Sequence, residues 1–477
     1  MSISLLHRSV VPYSSMSVSI ARKVAFDVLL RVITQNAYAD EALRAALPES
    51  VMSEDAGLAT ELTLGVLRWQ RLLDFIIDGQ LTKVNKALDP EVRIALRLGT
   101  YQLNFLTRIP ARAAVHESVE LVKHARKRSA APLVNAILRK VDKNTSRTTL
   151  PVDWVAARLP NSLPLADRLG IQHSHPTWLV ERWLGAFGEA RTRALLNADN
   201  CVPSVGAYVL DPQRRDDAVL SLQKAGCGVE PGHLLRDSWI LERGNPAASE
   251  AVRRGWVSIQ DEASQLVASL VAVEPGQAVL DVCAAPGGKT LRLALDAGSA
   301  GRVIAADLHA HRVRAMDERL KRAGVHNVQT LTLDAASPLP SEAPFNRRFD
   351  RILVDVPCSG TGTLARHPEI RWRLRAEDLH ELHARQAALL RNALPHLAPG
   401  GRLVYSTCSL EPEENELVVQ EVLGTAQNPI RVVSPRKTIE SVLRESVNVE
   451  SLIDTNGFFR TFPPEHRTDG FFAAIIE

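Results

Sequence analysis

No uninterrupted apolar stretch in this chain approaches the roughly 20 residues that a membrane-spanning helix needs. Cysteine is scarce: Cys201, Cys227, Cys283, Cys358 and Cys408 make an odd count, and none is paired in the C-x-x-C spacing of a zinc site. A disulfide framework and a metal centre are therefore not expected, and free thiols in a reducing cytoplasm are. The first seventeen residues lack a sustained apolar segment, since His7, Arg8 and Pro12 interrupt Leu5-Leu6 and Val10-Val11, and they show no evident small-residue cleavage site. Residues 1–17 are read as a disordered tail. Charge of one sign is not in large excess either, the net being +3.

At 477 residues, 45% hydrophobic and 23% charged, the sequence fits a globular protein of two or three domains. Its charge is uneven. Residues 101–150 hold ten Lys or Arg against three Asp or Glu, a local +7 that leaves −4 for the remainder. Such asymmetry points to an electropositive patch for a polyanion, a solvated basic face being the plainer alternative. The basic run Arg126-Lys127-Arg128 is the candidate contact for such a polyanion.

Apolar residues recur at helical spacing over 21–32, 58–77, 90–106, 114–125 and 132–141, which makes residues 18–145 an all-α domain. Residues 146–164, polar and with three prolines, read as a linker. Residues 165–255 mix a helix bearing Trp178 and Trp183 with strands at Tyr208-Val209-Leu210 and Ser238-Trp239-Ile240-Leu241, a small α+β middle module. From 256 to 477, strand and helix patterns alternate as in a doubly wound sheet with helices on both faces, and Phe471 to Ile476 read as one more strand at an edge.

Two tracts in this last region, Asp355-Val356-Pro357-Cys358-Ser359-Gly360 and Tyr405-Ser406-Thr407-Cys408-Ser409, place a thiol where a buried strand breaks into a small-residue loop, as enzymes of this architecture place nucleophiles. Upstream, Asp281-Val282-Cys283-Ala284-Ala285-Pro286-Gly287-Gly288-Lys289 runs from a strand through a Gly-rich turn into a helix. Paired glycines admit a ligand close to the backbone, and amides at the helix start suit a negative group, so a small cofactor with a carboxylate is expected there. The spacing is neither a phosphate loop nor a full G-x-G-x-x-G dinucleotide turn. Asp307 ends the next strand, where an acid can bind ribose hydroxyls, Asp334 ends the third, where it can take the amine of adenine, and Asp355 ends the fourth. One strand-end acid is weak evidence; three at successive strand ends are not easily chance.

These residues resemble the S-adenosylmethionine-dependent RNA cytosine-5 methyltransferases. Cys283-Ala-Ala-Pro-Gly-Gly-Lys289, Asp355-Val-Pro-Cys-Ser-Gly360, Arg366-His-Pro-Glu-Ile370 and Ser406-Thr-Cys-Ser409 stand in that family's order. The front portion, with Glu61-Leu-Thr-Leu-Gly-Val-Leu-Arg-Trp69 and Val134-Asn-Ala-Ile-Leu-Arg139, is similar to the RNA-binding domain of the antitermination factor NusB. The combination resembles the branch that acts on 16S ribosomal RNA, since members that modify transfer RNA generally lack this front domain. The resemblance implies a Rossmann-like class I methyltransferase domain at the C-terminus and a monomer. It implies S-adenosyl-L-methionine held by Cys283, Ala284, Ala285, Pro286, Gly287, Gly288, Lys289, Asp307, Asp334 and Asp355. It further implies Cys408 as nucleophile, Cys358 as the group that serves release, and Asp355 on the cytosine edge.

The chemistry explains the residue types. Cytosine C5 is too electron-poor to take a methyl unaided, so a thiolate adds to C6 and makes C5 an enamine carbon; a base then removes the C5 proton and the thiolate leaves. The residues alone leave the two thiols interchangeable, because DNA cytosine methyltransferases use a cysteine in a Pro-Cys tract, which would nominate Cys358. Three rival readings are a methyltransferase of transfer RNA or of DNA, a noncatalytic RNA-binding factor, which gives no reason for two thiols beside three acids, and an oxidoreductase, which would want a third glycine after Gly288.

Overall fold

The computed structural model describes residues 18–47, 52–81, 88–144, 151–425 and 430–477, in two compact units, Met1–Val180 and Glu181–Glu477. The tail expected at 1–17 and the start of the expected linker lie outside the described residues. Among the described residues no helix is long and apolar enough to cross a membrane.

The first unit is helical. Its central helix, Pro90–Phe105, buries every residue from Ile94 to Leu103, as a helix surrounded by others must. Around it pack Ile20–Gln35, Ser53–Arg68, Gln70–Asp78, Ala111–His124 and Ala131–Asn144. The periodicity over 58–77 spans two helices: at Trp69 the backbone leaves the helical region (φ −105°, ψ 16°), and the second helix buries Leu72, Leu73, Ile76 and Ile77. Two prolines that suggested a linker serve as helix starts. Pro151 opens the helix Pro151–Ala156, whose Val155 joins the same core, and Pro164 precedes Leu165–Gln172.

In the second unit, β1 (Val205–Val209), β2 (Gly228–Pro231), β3 (Ser238–Glu242) and β4 (Val257–Ile259) form an antiparallel sheet in the order β2-β3-β1-β4. A division at 255/256 cuts this sheet, because Ala207 of β1 pairs with Ile259 of β4.

The larger sheet contains β5 (Ala278–Asp281), β6 (Arg302–Asp307), β7 (Val328–Thr332), β8 (Phe349–Asp355), β9 (Leu397–Thr407), β10 (Val432–Val433), β11 (Phe459–Arg460) and β12 (Phe472–Ile476). Its order is β10-β12-β9-β8-β5-β6-β7, with β11 also on β12. Five strands from β7 to β9 are parallel, and β12 runs antiparallel to β9. Successive strand residues point to opposite faces, and here both faces are apolar. Val279, Val303, Leu353 and Val404 pack under the helices Glu262–Leu270 and Gly288–Ala297; Leu280, Ile304, Ile352 and Leu403 pack under Asp378–Ala393 and Glu416–Gly424. The near-continuous hydrophobic runs of the sequence are thus strands buried on both sides.

Candidate active site

In this sheet β5 connects onward to β6 on one side while β8 and β9 lie on the other. The crevice outside the carboxyl ends of β5 and β8 is the switch point at which such sheets take ligands. Asp281 ends β5 and Asp355 ends β8. From Asp281 the chain turns sharply into the helix Gly288–Ala297, with Gly287 at φ 89°, where a Cβ would stand 2.7 Å from Met316 Cγ. The turn is tied down by Ala284 N–H donating to Ala306 O (2.9 Å) and Ala285 N–H donating to Asp307 Oδ2 (3.2 Å).

A cavity of about 180 Å³ opens beside this turn. Cys283, Ala284, Ala285, Pro286, Gly288 and Lys289 line it together with both strand-end acids, Asp281 and Asp355. Gly287 caps the adjoining helix, and Asp307 and Asp334 are outside the lining. Each Asp307 oxygen accepts a main-chain amide, from Ala285 and from His309 (3.1 Å). Asp334 is exposed and accepts the Ala336 amide at 3.1 Å.

Four further lining residues, Ile259, Gln260, Ser264 and Arg319, were not singled out from the sequence as site residues, nor was Asp281 as a contact. Gln260 and Ser264 fall in the loop after β4 and the helix that follows it, so their place depends on packing between distant segments. Two buried acceptors of this cavity, Asp281 Oδ1 and Gln260 Oε1, have no hydrogen-bond partner among the described residues. The other Asp281 oxygen accepts Thr290 Oγ1–H at 2.8 Å.

Strand register brings the two thiols together. Asp355 pairs with Ser406 across β8 and β9, so loops leaving both strands side by side carry Cys358 and Cys408 to a sulfur separation of 3.3 Å. Asp355 is fixed on both oxygens, by Lys289 Nζ and by Ser406 Oγ, each at 2.7 Å. Both cysteines are half-buried.

Burial pushes the Asp281 carboxyl up to about 7. Burial also works to lower the Lys289 ammonium, but the adjacent Asp355 overrides it and the group ends above its ordinary value. Cys283 is pushed well up by burial and then by the surrounding acids, which keeps it a thiol. Cys358 is pushed well up as well, first by its hydrogen bond to Cys408 and then by burial.

In the helical unit, Arg126, Lys127 and Arg128 occupy the joint between Ala111–His124 and Ala131–Asn144, with Arg126 and Arg128 exposed. Lys127 Nζ lies 2.8 Å from Asp89, whose carboxylate holds the ammonium above its usual range.

The model of the 16S rRNA methyltransferase RsmB/F family matches residues 268–477, and that of the NusB family matches residues 19–143. The chain is 33% identical over 457 residues to the probable ribosomal RNA small subunit methyltransferase B of Bacillus subtilis, covering 94% of this chain and 97% of that one. It is 36% identical over 409 residues to the ribosomal RNA small subunit methyltransferase B of Pseudomonas putida, covering 84% and 88%. Among solved structures, PH0851 superposes with a TM-score of 0.78 at 25% identity, covering 97% of this chain and 99% of that one.

Proposed function

The chain belongs to the 16S rRNA methyltransferase RsmB/F family, with a NusB helical domain at its front, and from that premise we propose that it methylates C5 of a cytosine in 16S rRNA through a cysteine adduct. The observation that carries the reading is the pair of thiols 3.3 Å apart beside a cavity at the sheet's switch point.

The cavity's chemistry fits S-adenosyl-L-methionine. Two buried acceptors without partners, Asp281 Oδ1 and Gln260 Oε1, match the donors of an ammonium and of hydroxyl groups. Amides at the start of Gly288–Ala297, with Arg319 nearby, suit a carboxylate. Asp307 keeps lone pairs for ribose hydroxyls and Asp334 for the amine of adenine. When bound, the cofactor supplies an electrophilic methyl sulfonium.

In this reading the Cys408 thiolate adds to cytosine C6. The Cys358 thiol, hydrogen-bonded to Cys408, steadies that charge before the attack. Once Cys408 is a thioether its charge is gone, and with it the main cause that holds the Cys358 proton tightly. Cys358 can then release its proton to solvent water, and its thiolate takes the proton from C5; the C5–H electron pair re-forms the C5–C6 double bond and the C6–S bond breaks, with Cys408 leaving as a thiolate. Asp355, held by Lys289 and Ser406, has lone pairs left to bond the N3 and N4 edge, which draws charge off the ring during attack.

Bisulfite sequencing of 16S rRNA after incubation with the protein and S-adenosylmethionine tests the reading. One newly protected cytosine that is lost with Cys408→Ala is expected, and unprotected RNA under conditions where the cofactor binds would refute it.

A further inference from the structure

We propose that Glu414 is the positioning residue that sets the two thiols against each other. Its side chain is 0% exposed, yet four donors converge on its carboxylate. One oxygen accepts the Ser359 amide at 2.8 Å and Gln386 Nε2–H at 2.9 Å; the other accepts the Ser359 and Ser409 hydroxyls. Ser359 follows Cys358 and Ser409 follows Cys408, so a single carboxylate grips the residue next to each thiol. The two serine hydroxyls lie 3.0 Å apart beside it, and Gln386 also donates to Pro357 O, on the other side of Cys358, at 3.0 Å.

Glu414 is itself fixed from behind. Its carbonyl accepts the Tyr405 hydroxyl at 2.6 Å, and its amide donates to Glu411 O at 3.1 Å in the short turn Pro412–Glu414. Those four donors supply the partners that a buried carboxylate needs. That charge has a second effect: after the Cys408 bond and burial, it adds to the causes that keep Cys358 protonated. Glu414 therefore sets the separation of the sulfurs and contributes to which of them holds the proton, without touching either substrate.

The proposal rests on the roles given above to Cys408 and Cys358. Its test has one readout that needs no RNA. In Glu414→Gln, alkylation of Cys358 by iodoacetamide, followed against pH by peptide mass spectrometry, should show its midpoint at lower pH than in the unaltered protein. Turnover should fall about a hundredfold at unchanged KM for S-adenosylmethionine, the scale expected from misplacement of a reacting group by about 1 Å. Ser359→Ala, which keeps the carboxylate and loses one donor, should reduce turnover about tenfold and leave that midpoint where it is. An unmoved midpoint in a Glu414→Gln protein that melts like the unaltered one overturns the proposal, as does full turnover in Ser359→Ala if the glutamine variant does not fold. A moved midpoint with no methylation by the unaltered protein would instead leave the role of Glu414 standing and remove the functional reading.

Discussion

The hydrogen bond with Cys408, and then burial, push the Cys358 thiol well above its ordinary range, so the proton on Cys358 answers to what its neighbour carries. Asp281 shows the same dependence on surroundings, with burial raising it to about 7 and one oxygen left without a partner. If that oxygen holds the cofactor's ammonium, the ionised form is the binding form. Affinity for S-adenosylmethionine should then fall as pH drops through about 7, because protonation removes the acceptor, and Asp281→Asn should bind weakly at every pH with the dependence flattened. Isothermal titration at about pH 6 and about pH 8 measures both proteins; an equal pH dependence in the two would remove Asp281 from the binding step. Both thiols and the acid at the end of β8 were legible in sequence because strand ends and small-residue loops are local patterns. Gln260 and Glu414 were not: one sits in a loop placed by a different sheet, and the other lies in the acidic run Glu411-Pro-Glu-Glu-Asn-Glu416, whose burial no local pattern announces.

At the level of elements, the parallel strands were legible because strands apolar on both faces leave unbroken hydrophobic runs. Pairing register was not, and it is register, Asp355 against Ser406, that turns two tracts fifty residues apart into one site. The short strands β2 and β4 and the break at Trp69 also escaped, since five residues or fewer carry little periodicity and two helices that meet at a single residue can share one apolar spacing. The turn from β5 into Gly288–Ala297 is sensitive to a single methyl group. At Gly287 the backbone has φ 89° and the space is closed by Met316, so Gly287→Ala should cost about 1–3 kcal/mol of stability and weaken cofactor binding. Chemical denaturation and cofactor titration of that variant check the two effects; unchanged stability would mean that the turn tolerates a side chain.

For the molecule as a whole, the family assignment joins a NusB helical domain to a Rossmann-like methyltransferase domain with a mixed sheet. Charge counting along the chain pointed to the basic joint at Arg126, Lys127 and Arg128, but Asp89, outside the counted window, comes back in space to pair with Lys127. Arg126 and Arg128 remain the exposed cations there. The account depends most on the division of labour between the two thiols, and one experiment addresses it directly. Cys358→Ala and Cys408→Ala are each incubated with 16S rRNA and S-adenosylmethionine and run on a denaturing gel. The account predicts a protein–RNA band that survives denaturation with Cys358→Ala, which attacks without release, and none with Cys408→Ala; a trapped band with Cys408→Ala in its place would reverse the two roles.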